Sequence, residues 1–127
     1  MLFRSYLPDV FLDGLREVGR VAAPGEPVLC SEFTGNLLPA YAARPVVLGH
    51  RIQTVRGDEK RSLVEKLFRT SPTDPAAARL VRESGARWIV WGPDEIQRAH
   101  GGFDPAAAPF LRIRFRNAAV SIYQVLP

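Results

Sequence analysis

The sequence predicts an α/β fold: a three-layer sandwich on a Rossmann-like, mostly parallel sheet with a C-terminal antiparallel hairpin. Three observations lead there. Short apolar runs at residues 28–30, 46–48 and 86–91 each end abruptly in small and polar residues, as buried parallel strands do where they deliver a loop to a sheet edge. Helix-like segments lie between the runs, and right-handed crossovers of that kind make the strands parallel. The last segment alternates apolar and polar residues on either side of an asparagine turn, which reads as a hairpin with one wet face.

Residues 8–20 place Val10, Phe11, Leu15 and Val18 on one stripe, with Asp9 and Asp13 early and Arg16 and Arg20 late, as an amphipathic helix and its dipole require. Gly14 and Gly19 weaken that pattern. Pro24-Gly25-Glu26-Pro27 turns the chain into the first strand, Val28, Leu29 and Cys30. Thr34 is then placed to cap a short helix through residues 36–43, which Pro39 should confine to about its first turn. Arg44-Pro45 restores extended geometry for the second strand, Val46, Val47 and Leu48. Residues 58–69 form a helix with Leu63, Val64, Leu67 and Phe68 on one face. Asp74-Pro75 starts another, which Gly85 stops. In the third strand Trp88 and Trp91 stand three apart and so face opposite sides. A short helix to about Ala99, a His100-Gly101-Gly102 loop and a connector through Pro109 lead into the hairpin, 111–115 and 120–125.

At 127 residues and 46% hydrophobic composition the chain is one domain, residues 1–127, large enough to bury a core without staples. Its net charge of +4 comes from a set of basic residues in which Arg far outnumbers Lys. They are scattered, and no basic cluster is interleaved with aromatics as a nucleic-acid platform would need, so no nucleic-acid partner is expected. The single cysteine, Cys30, excludes an internal disulfide and a cysteine metal site, and its apolar strand makes it a core residue. No stretch approaches the roughly 20 apolar residues of a membrane span, and the N-terminus lacks the apolar centre of a signal peptide. The chain is therefore read as soluble.

In an open sheet of this kind ligands bind outside the carboxyl ends of the strands. The candidate ligand-binding residues are accordingly Ser31, Glu32, Thr34, Gly35 and Asn36 after the first strand, Gly49, His50, Gln53 and Thr54 after the second, and Gly92 and Glu95 after the third. A neutral imidazole at His50 can act as acid, base or donor, or simply bond within its loop. Glu32 can serve as a base or bind sugar hydroxyls, or be a solvated or capping carboxylate. Glu95, with Asp94, suits the start of the following helix. Ser31 has no GxSxG elbow or acid partner, so a serine nucleophile is not supported. Neither GxGxxG nor GxxxxGK[ST] occurs, and His50 and His100 lack paired metal-ligand spacing. No catalytic residue, cofactor or metal is assigned. Trp91 is the one candidate for a sugar-stacking platform.

The segments SEFTGNLLPAYAARPVVLGHRIQT, RWIVWGPDE and FDPAAAPFLRIRFRNAAVSIYQV together resemble the C-terminal soluble region of large bacterial polytopic membrane proteins of the GT-C glycosyltransferase-like class, similar to mannosyltransferases and arabinosyltransferases that use polyprenyl-phosphate sugars. The resemblance is carried by Gly35-Asn36, by Gly49-His50 with Thr54 four residues on, by Trp91-Gly92-Pro93-Asp94-Glu95, and by Asn117 followed by Val120-Ser121-Ile122-Tyr123. Gln53 stands where an acidic residue is common and Trp91 where tyrosine is, which speaks against direct catalysis by these loops. The resemblance implies an extracytoplasmic accessory domain of a larger membrane protein. Its catalytic centre would lie in the membrane part, its partner would be that part of the same polypeptide, and its ligand a glycan, lipid-linked sugar or acceptor. Two other readings stay open: a stand-alone small-molecule-binding or hydrolytic α/β enzyme, and a structural module docking through Phe3, Tyr6 and Leu7.

Overall fold

The computed structural model of the protein describes residues 8–49 and 57–127. Along them the chain forms α1 (Asp9–Val21), β1 (Val28–Leu29), α2 (Glu32–Ala42), α3 (Gly57–Phe68), α4 (Pro75–Ser84), β2 (Trp88–Trp91), α5 (Pro93–Ala99), a 3-10 turn (Pro105–Ala107), β3 (Leu111–Arg116) and β4 (Ser121–Val125).

The local chemistry of most elements follows the sequence pattern. In α1, Phe11, Leu15 and Val18 turn inward, and Gly14 lets the helix lie against Val120, where an added Cβ would come within 2.7 Å of Val120 Cβ. In α4, Asp74 accepts the Ala76 amide at 2.9 Å, Pro75 occupies the first turn, and Gly85 ends the helix at φ 79°. The helix after β1 departs from expectation. It starts at Glu32 with Ser31 as its cap and runs through Pro39 to Ala42, so Thr34 lies inside the first turn and is not the cap. Proline removes one helical donor, the one that would serve the Gly35 carbonyl. That carbonyl lies beside the Gly49 backbone, 3.2 Å from where a Cβ on Gly49 would stand.

The Rossmann-like, mostly parallel sheet is not what forms. The sheet is open, four-stranded and mixed, in the order β1-β2-β4-β3. β1 and β2 pair in parallel, whereas β2–β4 and β4–β3 are antiparallel. Two things produce the difference. The hairpin inserts β4 directly beside β2, so two of the three ladders are antiparallel. The expected second strand contributes a single parallel bridge, Val28 to Val46, before the chain leaves the ladder and packs the Leu48 carbonyl against Gly35.

Helices cover both faces of this sheet. On one face Phe11, Leu15, Val18, Leu38 and Ala42 of α1 and α2 pack with Val28, Trp88, Val90 and Ile122; on the other, Val64, Leu67, Phe68, Val81 and Ala99 of α3, α4 and α5 pack with Leu29, Ile89, Trp91 and Tyr123. All four residues of β2 are buried, which makes it the strand both cores share. Each large apolar side chain so buried contributes about 1.5–3 kcal/mol. Trp88 and Trp91 do lie on opposite faces. Arg44 joins α1 to α2: its guanidinium donates to the Gly19, Ala22 and Ala42 carbonyls at 2.9, 3.0 and 3.1 Å, satisfying the ends of both helices.

Candidate functional site

Because β1 and β2 are parallel, with Val28 opposite Trp88 and Leu29 opposite Ile89, their carboxyl ends reach the same rim. Cys30 and Ser31 leave one strand there, and Gly92 leaves the other. Glu95, in the first turn of α5, is fully buried between them. Its Oε2 accepts the Ser31 amide and its Oε1 accepts the Gly92 amide, both at 2.9 Å. A buried carboxylate is tolerated only when its charge is met in this way. Ser31 Oγ in turn accepts the Thr34 amide and donates to Thr34 Oγ1, at 3.3 Å each. Burial, first of all, then the charges of Glu95 and Asp94, push the Cys30 thiol well above its usual pKa, so it stays protonated.

Beside this rim lies a cleft of about 290 Å³, lined by Ser31 and Glu32 at the start of α2, Leu48, Val64 and Phe68 on its apolar side, and Arg61, Glu65, Arg69 and Arg98. The Arg61 guanidinium donates to both Glu32 oxygens, at 3.5 and 3.3 Å, and to Asp58 at 3.4 Å. Arg98 donates to Asp94 at 2.7 Å. That hydrogen bond, above all, raises the Arg98 pKa and keeps it cationic. Arg69 has no carboxylate partner among the described residues. An apolar wall facing paired guanidiniums and carboxylates suits a ligand with both C–H faces and hydroxyl or phosphate oxygens.

The sequence-nominated residues divide among four situations. Ser31 and Glu32 line the cleft. Thr34, Gly35, Gly49, Gly92 and Glu95 are buried just behind it and shape its frame, while Asn36 is exposed on α2. His50, Gln53 and Thr54 lie outside the described residues, as do Phe3, Tyr6 and Leu7. Trp91 is not an exposed platform: it meets Phe68 and Phe103 edge to face at 5.2 and 5.5 Å inside the core. Sequence reasoning missed Arg61, Arg69 and Arg98. A faint signal existed for two of them, since Arg61 and Arg69 stand eight residues apart and so share a helical face. Among the described residues no group of three His, Cys, Asp or Glu side chains could hold a metal ion, and no helix is long and apolar enough to cross a membrane.

No protein-family model matches the chain. No curated protein matches it either. Among solved structures, it is similar to the crystal structure of the C-terminal globular domain of an oligosaccharyltransferase from Archaeoglobus fulgidus, with a TM-score of 0.66 at 15% identity, over 94% of this chain and 98% of that one. At that identity the likeness is one of fold, and it extends over nearly the whole of both chains.

Proposed function

We propose that the chain is a single accessory domain of a larger membrane glycosyltransferase-like protein, on the extracytoplasmic face, and that it helps bind or position a glycan, lipid-linked sugar or acceptor without housing the catalytic centre. The observation that carries this reading is the cleft at the shared rim of β1 and β2, where Ser31, Glu32, Arg61, Arg69 and Arg98 converge over an apolar wall. The fold shared with an oligosaccharyltransferase's C-terminal globular domain supports the same class of role. The membrane-embedded part of the same polypeptide would be its partner, and no cofactor enters the scheme. Two groups nearby that could have been reagents are otherwise engaged: Glu95 is held by two amides, and the Cys30 thiol is buried and protonated.

Calorimetric titration of the domain with a panel of oligosaccharides and short-chain polyprenyl-phosphate sugars tests the proposal. Binding that weakens about tenfold or more in Arg69→Ala, and for the uncharged oligosaccharides also in Glu32→Ala, with folding unchanged, is the expected result. Binding unaffected by both substitutions would remove the cleft as the site, and hydrolysis of any panel member would favour a stand-alone enzyme.

A further inference from the structure

Away from the cleft, at the opposite end of the strand order from β1, the edge strand β3 reads Leu-Arg-Ile-Arg-Phe-Arg. Arg112, Arg114 and Arg116 are all exposed, and Ile113 between them is 43% exposed, one of three large apolar side chains to be so among the described residues. Residues 105–127 contain these three arginines and no aspartate or glutamate. None of the three has a carboxylate partner among the described residues. Arg114 donates instead to Gln124 at 2.8 Å and lies 5.7 Å above the Trp88 ring. The register slips between Ile113 and Phe115, so Arg114 is the extra residue of a bulge.

We propose that this edge is a docking surface for an anionic lipid surface. Six residues of strand span about 20 Å, so the three guanidiniums can reach several head-group phosphates at once. The register sets Arg112 and Arg114 on the Trp88 face of the sheet and Ile113 and Arg116 on the other, so the lipid surface would meet the strand edge-on, with guanidiniums on both sides of it and Ile113 supplying an apolar contact next to Arg116. The charge is uncompensated, and an anionic surface is its complement. A nucleic acid fits less well, because the strand offers no exposed aromatic on which a base could stack: Phe115 is half-buried against the α1 and α2 side of the core. Bulges and charges also protect sheet edges from pairing, and a purely protective edge would bind no membrane.

Flotation of the 127-residue chain with mixed phosphatidylglycerol and phosphatidylcholine vesicles, against pure phosphatidylcholine vesicles, tests the proposal. The chain should bind the anionic vesicles, release from them as salt rises, and ignore the neutral ones. Replacing all three arginines with glutamine should weaken binding on the order of a hundredfold, from a factor of about five per arginine, whereas replacing them with lysine should largely preserve it. Should the triple glutamine variant aggregate, Arg112→Gln and Arg116→Gln alone should each lose about fivefold. Equal binding to both vesicle types, full binding by the glutamine variants, no binding at low salt, or binding to single-stranded RNA in preference to vesicles would each overturn it.

Discussion

The Glu95 carboxylate accepts the Ser31 amide at 2.9 Å across 64 residues of sequence. With its second oxygen on the Gly92 amide, it fastens the start of α2 to the start of α5, at the ends of the two parallel strands. This one side chain sets the spacing of the rim beside which the cleft opens. Hydrogen bonds to a charged group contribute about 1.5–3 kcal/mol each, and an unsatisfied buried amide costs about 1–3 kcal/mol. Glu95→Ala should therefore destabilise the domain by about 3 kcal/mol or more in chemical denaturation. Glu95→Gln, which keeps the shape but turns one acceptor into a donor facing an N–H, should cost at least about 1 kcal/mol.

Gly35 has no room for a side chain, since a Cβ there would come to 2.0 Å from the Leu48 carbonyl oxygen. Backbone cannot yield as a flexible side chain can. Gly35→Ala should cost more than about 2 kcal/mol, by the overpacking it forces. Gly19→Ala is the control: its Cβ would meet Ala42 at ordinary contact distances of 3.5–3.7 Å, so the gain in helix propensity should leave it neutral or up to about 1 kcal/mol more stable. In thermal or urea melts Gly35→Ala should fall clearly below the unsubstituted chain and Gly19→Ala should match or exceed it.

These two cases also mark what could be read from the chain. The helices α1, α3 and α4 were legible because their signals are local: apolar stripes, Asp74-Pro75 at a start, Gly85 at a stop. The opposite facing of Trp88 and Trp91 follows from strand periodicity alone. The strand order was not legible, because nothing local says whether the β3–β4 hairpin adds at the edge or seats β4 beside β2. The brevity of the second strand depends on Leu48 meeting Gly35, which no pattern within residues 46–48 contains. Glu95 was readable as half of what it is. Its bond to Gly92 is three residues away, and its bond to Ser31 is not. Arg61, Arg69 and Arg98 escaped notice because they come from α3, the turn that follows it and α5, which meet only in the fold.

Glu26 accepts the Trp88 indole N–H at 2.8 Å, and that bond is the main reason its carboxyl pKa is lowered, followed by the Ala23 amide. A lowered folded-state pKa means that the unfolded chain takes up its proton first on acidification. The contribution of Glu26 is thus fully present above its unfolded pKa, near 4.5, and is lost as pH falls through the lower folded value. The Trp88 indole proton resonance should shift on acidification with a midpoint below 4.5, and in Glu26→Gln that titration should vanish and the acid limb of the stability curve should flatten.

Cys30 gives the opposite sign at the other end of the scale. Its folded pKa is raised by burial, so below the ordinary thiol value of about 8.5 it adds no pH dependence, and above it the unfolded chain ionises while the folded one does not. Stability should fall as pH rises from there, and the fall should be absent in Cys30→Ala. Alkylation of Cys30 in the native protein should proceed only as fast as the domain opens, and should accelerate in step with added urea.

The Glu32–Arg61 pair separates binding from stability. Both side chains are partly exposed, at 29% and 43%, and their closest approach is 3.3 Å, so the pair should contribute no more than about 1 kcal/mol to folding. Glu32→Gln should leave the melting transition nearly unchanged while altering the cleft in two ways: it removes a carboxylate that can accept from hydroxyls, and it releases Arg61 towards incoming phosphate oxygens. A glycan held through its hydroxyls should then bind more weakly, and a sugar phosphate held through its charge should bind more tightly. Opposite changes for the two ligand classes in one variant would assign Glu32 to the hydroxyls and Arg61 to the phosphate. Parallel changes, or a shift in melting as large as that of Glu95→Ala, would mean that the pair serves the frame and not the ligand.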